Sequence, residues 1–182
     1  VGNIAAGELT FINECPAGKH SYSVAGVYER GVSPVSNVVM VSIVDTYDIP
    51  LFENFESASF EANYWSASDE QSKWVINAFF GKGISGLGAT CENYGESYND
   101  ALVSRPIDAA TLENIYLTYA LRSTTYSDPS NNKDTLRVEV SVGNEWQIVK
   151  EYPGTRKETS YGIECLDISD MVKGKLFQVR FR

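Results

Sequence analysis

Apolar positions along this chain recur mainly at every second residue, the spacing of a strand with one face toward a core and the other toward water. The clearest run is Thr135–Val142, where Leu136, Val138, Val140 and Val142 alternate with Arg137, Glu139 and Ser141. The same alternation, helped by β-branched and aromatic enrichment, predicts strands over 21–29, 37–44, 73–79, 115–121, 145–152 and 175–181. Turn chemistry separates them, at Pro16-Ala17-Gly18, Gly31 with Pro34, the glycine-rich stretch 81–88, Asp128-Pro129-Ser130-Asn131-Asn132 and Pro153-Gly154. Gly143-Asn144 joins two strong strands across two residues, the length of a tight hairpin. Helix is expected only as single turns, at 108–112 and 168–172, since neither segment carries an extended helical stripe. Many short strands divided by turns predict an all-β chain built as a sandwich or jelly roll. A domain boundary is expected near 46–50, where Pro50 imposes an extended approach to the next segment.

Composition narrows the function classes. The 182 residues are 43% hydrophobic, enough for a real core, yet apolar runs such as Val38-Val39-Met40-Val41 fall far short of a membrane helix, so no membrane span is expected in this piece. A formal charge of −9, with Lys and Arg scattered, repels phosphate backbones and argues against nucleic acid as a partner. Eleven Tyr, eight Phe and three Trp suit β packing first, and also supply flat faces on which sugars stack.

The chemistry-bearing residues are sparse. Cys15, Cys91 and Cys165 have no C-x-x-C spacing, so neither a zinc site nor a dense disulfide framework is indicated. If one bridge forms, Cys91 with Cys165 is the expected pair, because Cys15 falls on the other side of the boundary; three buried thiols are the alternative. His20 is the one histidine, which excludes a triad or histidine-rich metal site within this piece. Cys15 and His20 flank a Pro-Gly turn, and nothing nearby favours a thiolate. Glu53, Glu56, Asp69, Glu70, Glu92, Glu96 and Asp100 read as a solvated acidic surface, although two carboxylates across a cleft would suffice for glycoside hydrolysis. Asp128, Ser130, Asn132, Asp134 and Glu139 fall on EF-hand ligand positions, but Lys133 stands where the sharp turn needs Gly and Glu139 lies in a predicted strand. That stretch reads as a solvated loop. Tyr94, Tyr98, Tyr126 and Tyr161, in loop-like segments, are the candidates for stacking on a glycan.

Two resemblances organise the chain. Leu9-Thr10-Phe11-Ile12, then Cys15-Pro16-Ala17-Gly18-Lys19-His20-Ser21-Tyr22, and Gly31-Val32-Ser33-Pro34-Val35-Ser36-Asn37-Val38 resemble the second half of a fibronectin type III domain, with Tyr22 as its inward tyrosine. From Leu51 onward the chain resembles the jelly-roll modules called cleaved adhesin or choice-of-anchor J domains, relatives of the MAM domain, common in secreted proteins of Bacteroidetes-type bacteria. The landmarks are Phe52-Glu53-Asn54-Phe55-Glu56, Asn63-Tyr64-Trp65, Ser72-Lys73-Trp74-Val75-Ile76, and Asp100-Ala101-Leu102-Val103-Ser104-Arg105-Pro106-Ile107-Asp108 against a pattern D-x-L-V-S-P-x-I-D. Val179-Arg180-Phe181-Arg182 resembles that family's penultimate strand. The expected organisation is therefore the C-terminal part of a fibronectin type III-like domain over 1–47 and a MAM-like jelly roll over 48–182, each cut by an end of the sequence. The resemblance implies a structural Ca2+ held by Glu56 and Asp100, with Glu53 or Asn54. It also implies an extracellular or cell-surface setting and a non-enzymatic role in adhesion or carbohydrate binding, with a glycan or a host or extracellular protein as partner. The alternative it implies is an ancillary region of a secreted peptidase or glycoside hydrolase whose catalytic domain lies elsewhere.

Overall fold

Residues 2–8, 10–67, 72–78, 86–91, 99–122, 134–153 and 162–182 are described by a computed structural model of the chain. The chain divides into two compact units, Val1–Asp45 and Thr46–Arg182. Thr46 and Tyr47 thus belong to the second unit.

The first unit is made of short antiparallel pairs. β1 (Gly18–Tyr22) and β4 (Val39–Ile43) pair from Gly18 with Ile43 to Tyr22 with Val39, while β2 (Val27–Tyr28) and β3 (Gly31–Val32) form a small hairpin. The single strand expected over 21–29 is therefore two. Between them the backbone N–H groups of Val24 and Gly26 turn to the Ser36 and Ser33 hydroxyls, 3.0 and 2.9 Å away, and leave the ladder.

In the second unit a 3-10 turn (Glu61–Asn63) precedes β5 (Ser66–Ala67), followed by β6 (Trp74–Asn77), β7 (Gly88–Cys91), β8 (Leu102–Val103), β9 (Ile107–Asp108) and β10 (Tyr116–Leu121). Then come β11 (Thr135–Val142), β12 (Glu145–Pro153), β13 (Gly162–Asp167), the single helical turn α1 (Ser169–Val172) and β14 (Leu176–Phe181). The six-stranded sheet runs β12-β11-β14-β8-β5, with β9 also pairing β14. The β11–β12 hairpin closes through Gly143, whose φ of +69° is the left-handed conformation such a tight connection requires. At 108–112 the expected single turn is a hydrogen-bonded one, with the Leu112 N–H on the Ala109 carbonyl at 3.1 Å, and does not go on to a helix. Asp108 ends β9, and its carboxylate accepts the Ala110 N–H at 2.7 Å.

Alternation sets the two faces of this sheet. Val138, Val140 and Val142 of β11 lie opposite Phe181, Val179 and Phe177 of β14. Val140, Phe177 and Val179 are buried in one cluster with Ile107, Ala109, Ile115, Ile168 and Val172. Leu117 and Leu166, partners in the β10–β13 pair, pack against that cluster, so two β layers enclose the core in a sandwich-like, all-β arrangement. The opposite face of β11 and β14 carries Glu139 across from Arg180 and Ser141 across from Gln178.

The three cysteines form no disulfide, and Cys91 and Cys165 are exposed rather than buried. Cys165 falls on the outward-facing positions of β13, opposite Thr118.

Candidate functional site: a groove on the polar face of the sheet

The residues implicated in calcium binding are engaged locally. Both Asp100 carboxylate oxygens accept the Ser72 hydroxyl, at 2.9 and 2.7 Å, and one also accepts the Lys73 backbone N–H, fixing the entry to β6. Glu56 lies elsewhere, its Oε1 accepting the Leu87 N–H at 3.1 Å. Asn54 Oδ1 accepts the Glu56 N–H, and Glu53 Oε1 accepts the Phe55 N–H. No group of three or more His, Cys, Asp or Glu gathers among the described residues. Glu53 does retain a buried oxygen, Oε2, with no hydrogen-bond partner. Glu53 and Asn54 thus each accept a backbone N–H two residues on, and Glu56 reaches across to Leu87.

The glycan candidates Tyr94, Tyr98, Tyr126 and Tyr161 lie outside the described residues, as do Asp69, Glu70, Glu92, Glu96, Asp128, Ser130 and Asn132. Glu139 sits inside β11, as a strand residue should, with its carboxylate bound to Arg180 and Arg182. Cys15 and His20 turn to different partners. The thiol shares a hydrogen bond with the Tyr22 hydroxyl, 3.2 Å, and the imidazole Nε2 donates to the Pro16 carbonyl, 2.8 Å. The Cys15 contact is the main cause of a raised Tyr22 phenol pKa.

The structure assembles a different site. An open groove of about 390 Å³ lies against the second unit, with Glu61, Tyr64 and Trp65 on one wall and Ser104, Arg105 and Gln178 on the other, Ser66 of β5 completing it. The volume falls in the lower part of the ~300–1,000 Å³ range of small-molecule sites.

Each wall is held by backbone chemistry. After the 3-10 turn Tyr64 adopts a left-handed conformation, φ 59°, with its N–H on the Glu61 carbonyl at 3.0 Å. The Trp65 N–H returns to the Phe60 carbonyl at 2.9 Å. This places Tyr64 outward, 54% exposed, and Trp65 inward, 7% exposed, against Phe55 and Phe181. Opposite, buried Ser104 ties the 103–105 segment to β14. Its Oγ accepts the Val179 N–H at 2.9 Å and donates to the Arg105 carbonyl, and its own carbonyl accepts Gln178 Nε2 at 2.7 Å.

The Arg105 guanidinium lies 3.7 Å above the Tyr64 ring and 4.8 Å from Tyr47. The two tyrosines meet edge to face, and the Tyr47 hydroxyl donates to the Asn63 carbonyl. Burial raises the Tyr47 phenol pKa, with the charge of Glu53 adding to it, so Tyr47 stays a neutral donor. Trp65 adds an indole N–H that is buried without a hydrogen-bond partner.

Sequence reasoning missed this groove because its residues come from 61–66, 104–105 and 178, which the topology alone brings together. One signal was present. Arg105 stands where the D-x-L-V-S-P-x-I-D pattern has Pro. No family model matches the chain, and no curated protein matches it either.

Proposed function

We propose that this chain is a non-catalytic accessory module of an extracellular or cell-surface protein, serving adhesion through glycan binding. In this reading a jelly-roll unit presents the site and a fibronectin-like unit acts as spacer. The observation that carries the proposal is the groove itself: an exposed tyrosine with an arginine over its ring, an amide on β14, and a carboxylate, gathered from the 3-10 turn, the β8–β9 connection and the sheet. Aromatic faces take the apolar side of a sugar ring while such polar groups take its hydroxyls. Among the described residues the groove has one carboxylate, Glu61, where glycoside hydrolysis ordinarily employs a flanking pair. A glycan array with the full chain and Tyr64→Ala tests the reading. Retention of glycans by the parent chain, lost in the variant, is the expected result, and no retention by the parent removes the proposal.

A structural calcium ion belongs to the same proposal, drawing on Glu53 and Glu56 with the Asn54 amide oxygen. Hard oxygen donors of this kind suit Ca2+, which would pin the turn. Chelation should then lower the melting temperature and Glu53→Gln should abolish that response. An unchanged melting curve removes the ion from the account.

A further inference from the structure

We infer that the groove takes an anionic saccharide, a sugar ring carrying a carboxylate or sulfate, with its oxyanion directed to Arg105 and Arg180. The inference rests on the glycan-binding reading and narrows it to a ligand class.

Charge distribution points this way first. The chain has a formal charge of −9, yet the sheet face beside the groove collects cations. Arg105 lines the groove, and Arg180 and Arg182 bind Glu139 from β14 and the residue after it. Glu139 is the carboxylate set among them, with a side chain only 3% exposed and both oxygens occupied by the two arginines. One negative charge shared by two guanidinium groups leaves a positive remainder on β14, while in the groove itself Arg105 stands with the Glu61 carboxylate. A local positive focus on an acidic protein draws anionic ligands and repels few of its own neighbours.

Geometry points the same way. Gln178, on the groove wall, and Arg180 occupy the same face of β14 two residues apart, a spacing of roughly 7 Å along a strand. Arg180 donates Nε to Glu139 and rests over the Trp146 ring at 4.2 Å. Its two terminal nitrogens make no hydrogen bond within the described residues. Both Arg105 and Arg180 thus lie over aromatic rings before any ligand arrives, which lowers the entropy lost on binding. Planar guanidinium forks match carboxylate and sulfate oxygens in pairs, and they are less strongly hydrated than an ammonium group. Tyr64 offers the adjoining surface for the sugar ring.

The test uses the full chain with five probes measured by calorimetry at low and physiological salt. They are a hexuronic-acid oligosaccharide, the matching neutral hexose oligosaccharide, its sulfated form, acetate and inorganic sulfate. The expected result is binding of an acidic oligosaccharide, weakened by salt, with the neutral form and the small anions far weaker. Arg105→Gln should reduce that affinity roughly tenfold to hundredfold. Arg105→Lys, which keeps the charge and loses the fork, should reduce it less. Arg30→Gln in the first unit removes the same charge elsewhere and should leave affinity unchanged. Melting curves identify any variant that fails to fold, and the Lys variant then carries the comparison. Equal binding of neutral and acidic oligosaccharides overturns the inference while sparing the glycan reading. Acidic binding indifferent to both Arg105 variants overturns the placement in the groove. Small anions binding as well as the oligosaccharides overturn the saccharide part, and binding of no saccharide at all overturns the glycan reading with it.

Discussion

The two units are made from similar material and reach different states. The second unit contains every buried hydrophobic residue of the described chain, whereas none of the described residues before position 46 is buried. The first unit is not short of apolar residues. Val27, Tyr28, Val32, Val35, Val38 and Met40 are all at least 60% exposed. Its strands pair as two separate two-stranded pairings, and among the described residues no second layer faces those side chains. In the second unit the same alternation meets the β10–β13 layer and closes a core. The lesson is that periodicity specifies a strand, and a partner layer turns the strand into stability.

Substitutions in the two units should break or confirm that contrast. Phe177→Ala removes a buried ring from the core cluster and is expected to cost about 3–5 kcal/mol. Urea unfolding followed by tryptophan fluorescence is the measurement, since Trp65, Trp74 and Trp146 all lie in the second unit. Met40→Ala in the first unit should change stability by no more than about 0.5 kcal/mol, followed by amide hydrogen exchange across β1 and β4. A loss comparable to that of Phe177→Ala would mean the first unit has a covered core after all.

Glu139→Gln ranks next. It leaves Arg180 and Arg182 without their shared counter-charge on a nearly closed part of the sheet face, at an expected cost of about 3 kcal/mol. A neutral result in the same unfolding assay would show that solvent already screens the trio. Ser104→Ala strips the hydroxyl that accepts the Val179 N–H and should cost about 1–2 kcal/mol. The hydroxyl's bond to the Arg105 carbonyl goes with it, so the Arg105 side of the groove should loosen, while the main-chain bond to Gln178 remains.

The smallest effect is a pH dependence. Hydrogen bonds from the Ser169 hydroxyl and N–H hold the Asp167 carboxyl below its ordinary range. A depressed folded-state value means its contribution is complete above the unfolded-state pKa, about 4, and is lost as pH falls through the folded value. Acid unfolding of Asp167→Asn should therefore lack that part of the slope, and an unchanged profile would assign it to other carboxylates.

Legibility in the sequence followed the same division between local and long-range order. Thr135–Val142 stands as the alternation requires, Gly143 closes the predicted hairpin, and β10 and β14 each begin one residue inside their expected spans. β13 escaped notice because its pattern is inverted. Ile163 is 71% exposed and Cys165 faces out, while Glu164 takes a sheltered position near Lys150. β5, β8 and β9 are two residues each, too short to show any period. The groove was illegible for a different reason. Tyr47 reads as linker and Tyr64 as a landmark beside a tryptophan, and only the folded sheet brings Arg105 to both.

The place of β14 in the sheet has a consequence for synthesis. It follows the other described strands in chain order, yet it sits between β11 and β8 and also pairs β9. While the chain emerges from the ribosome, β11 and β12 can zip together at once, but β8 and β5 have no bridge to them until residues 176–181 appear. Nascent chains halted before that point should therefore carry a finished hairpin and an unjoined sheet, the form most open to chaperone capture and to pairing with a neighbouring chain.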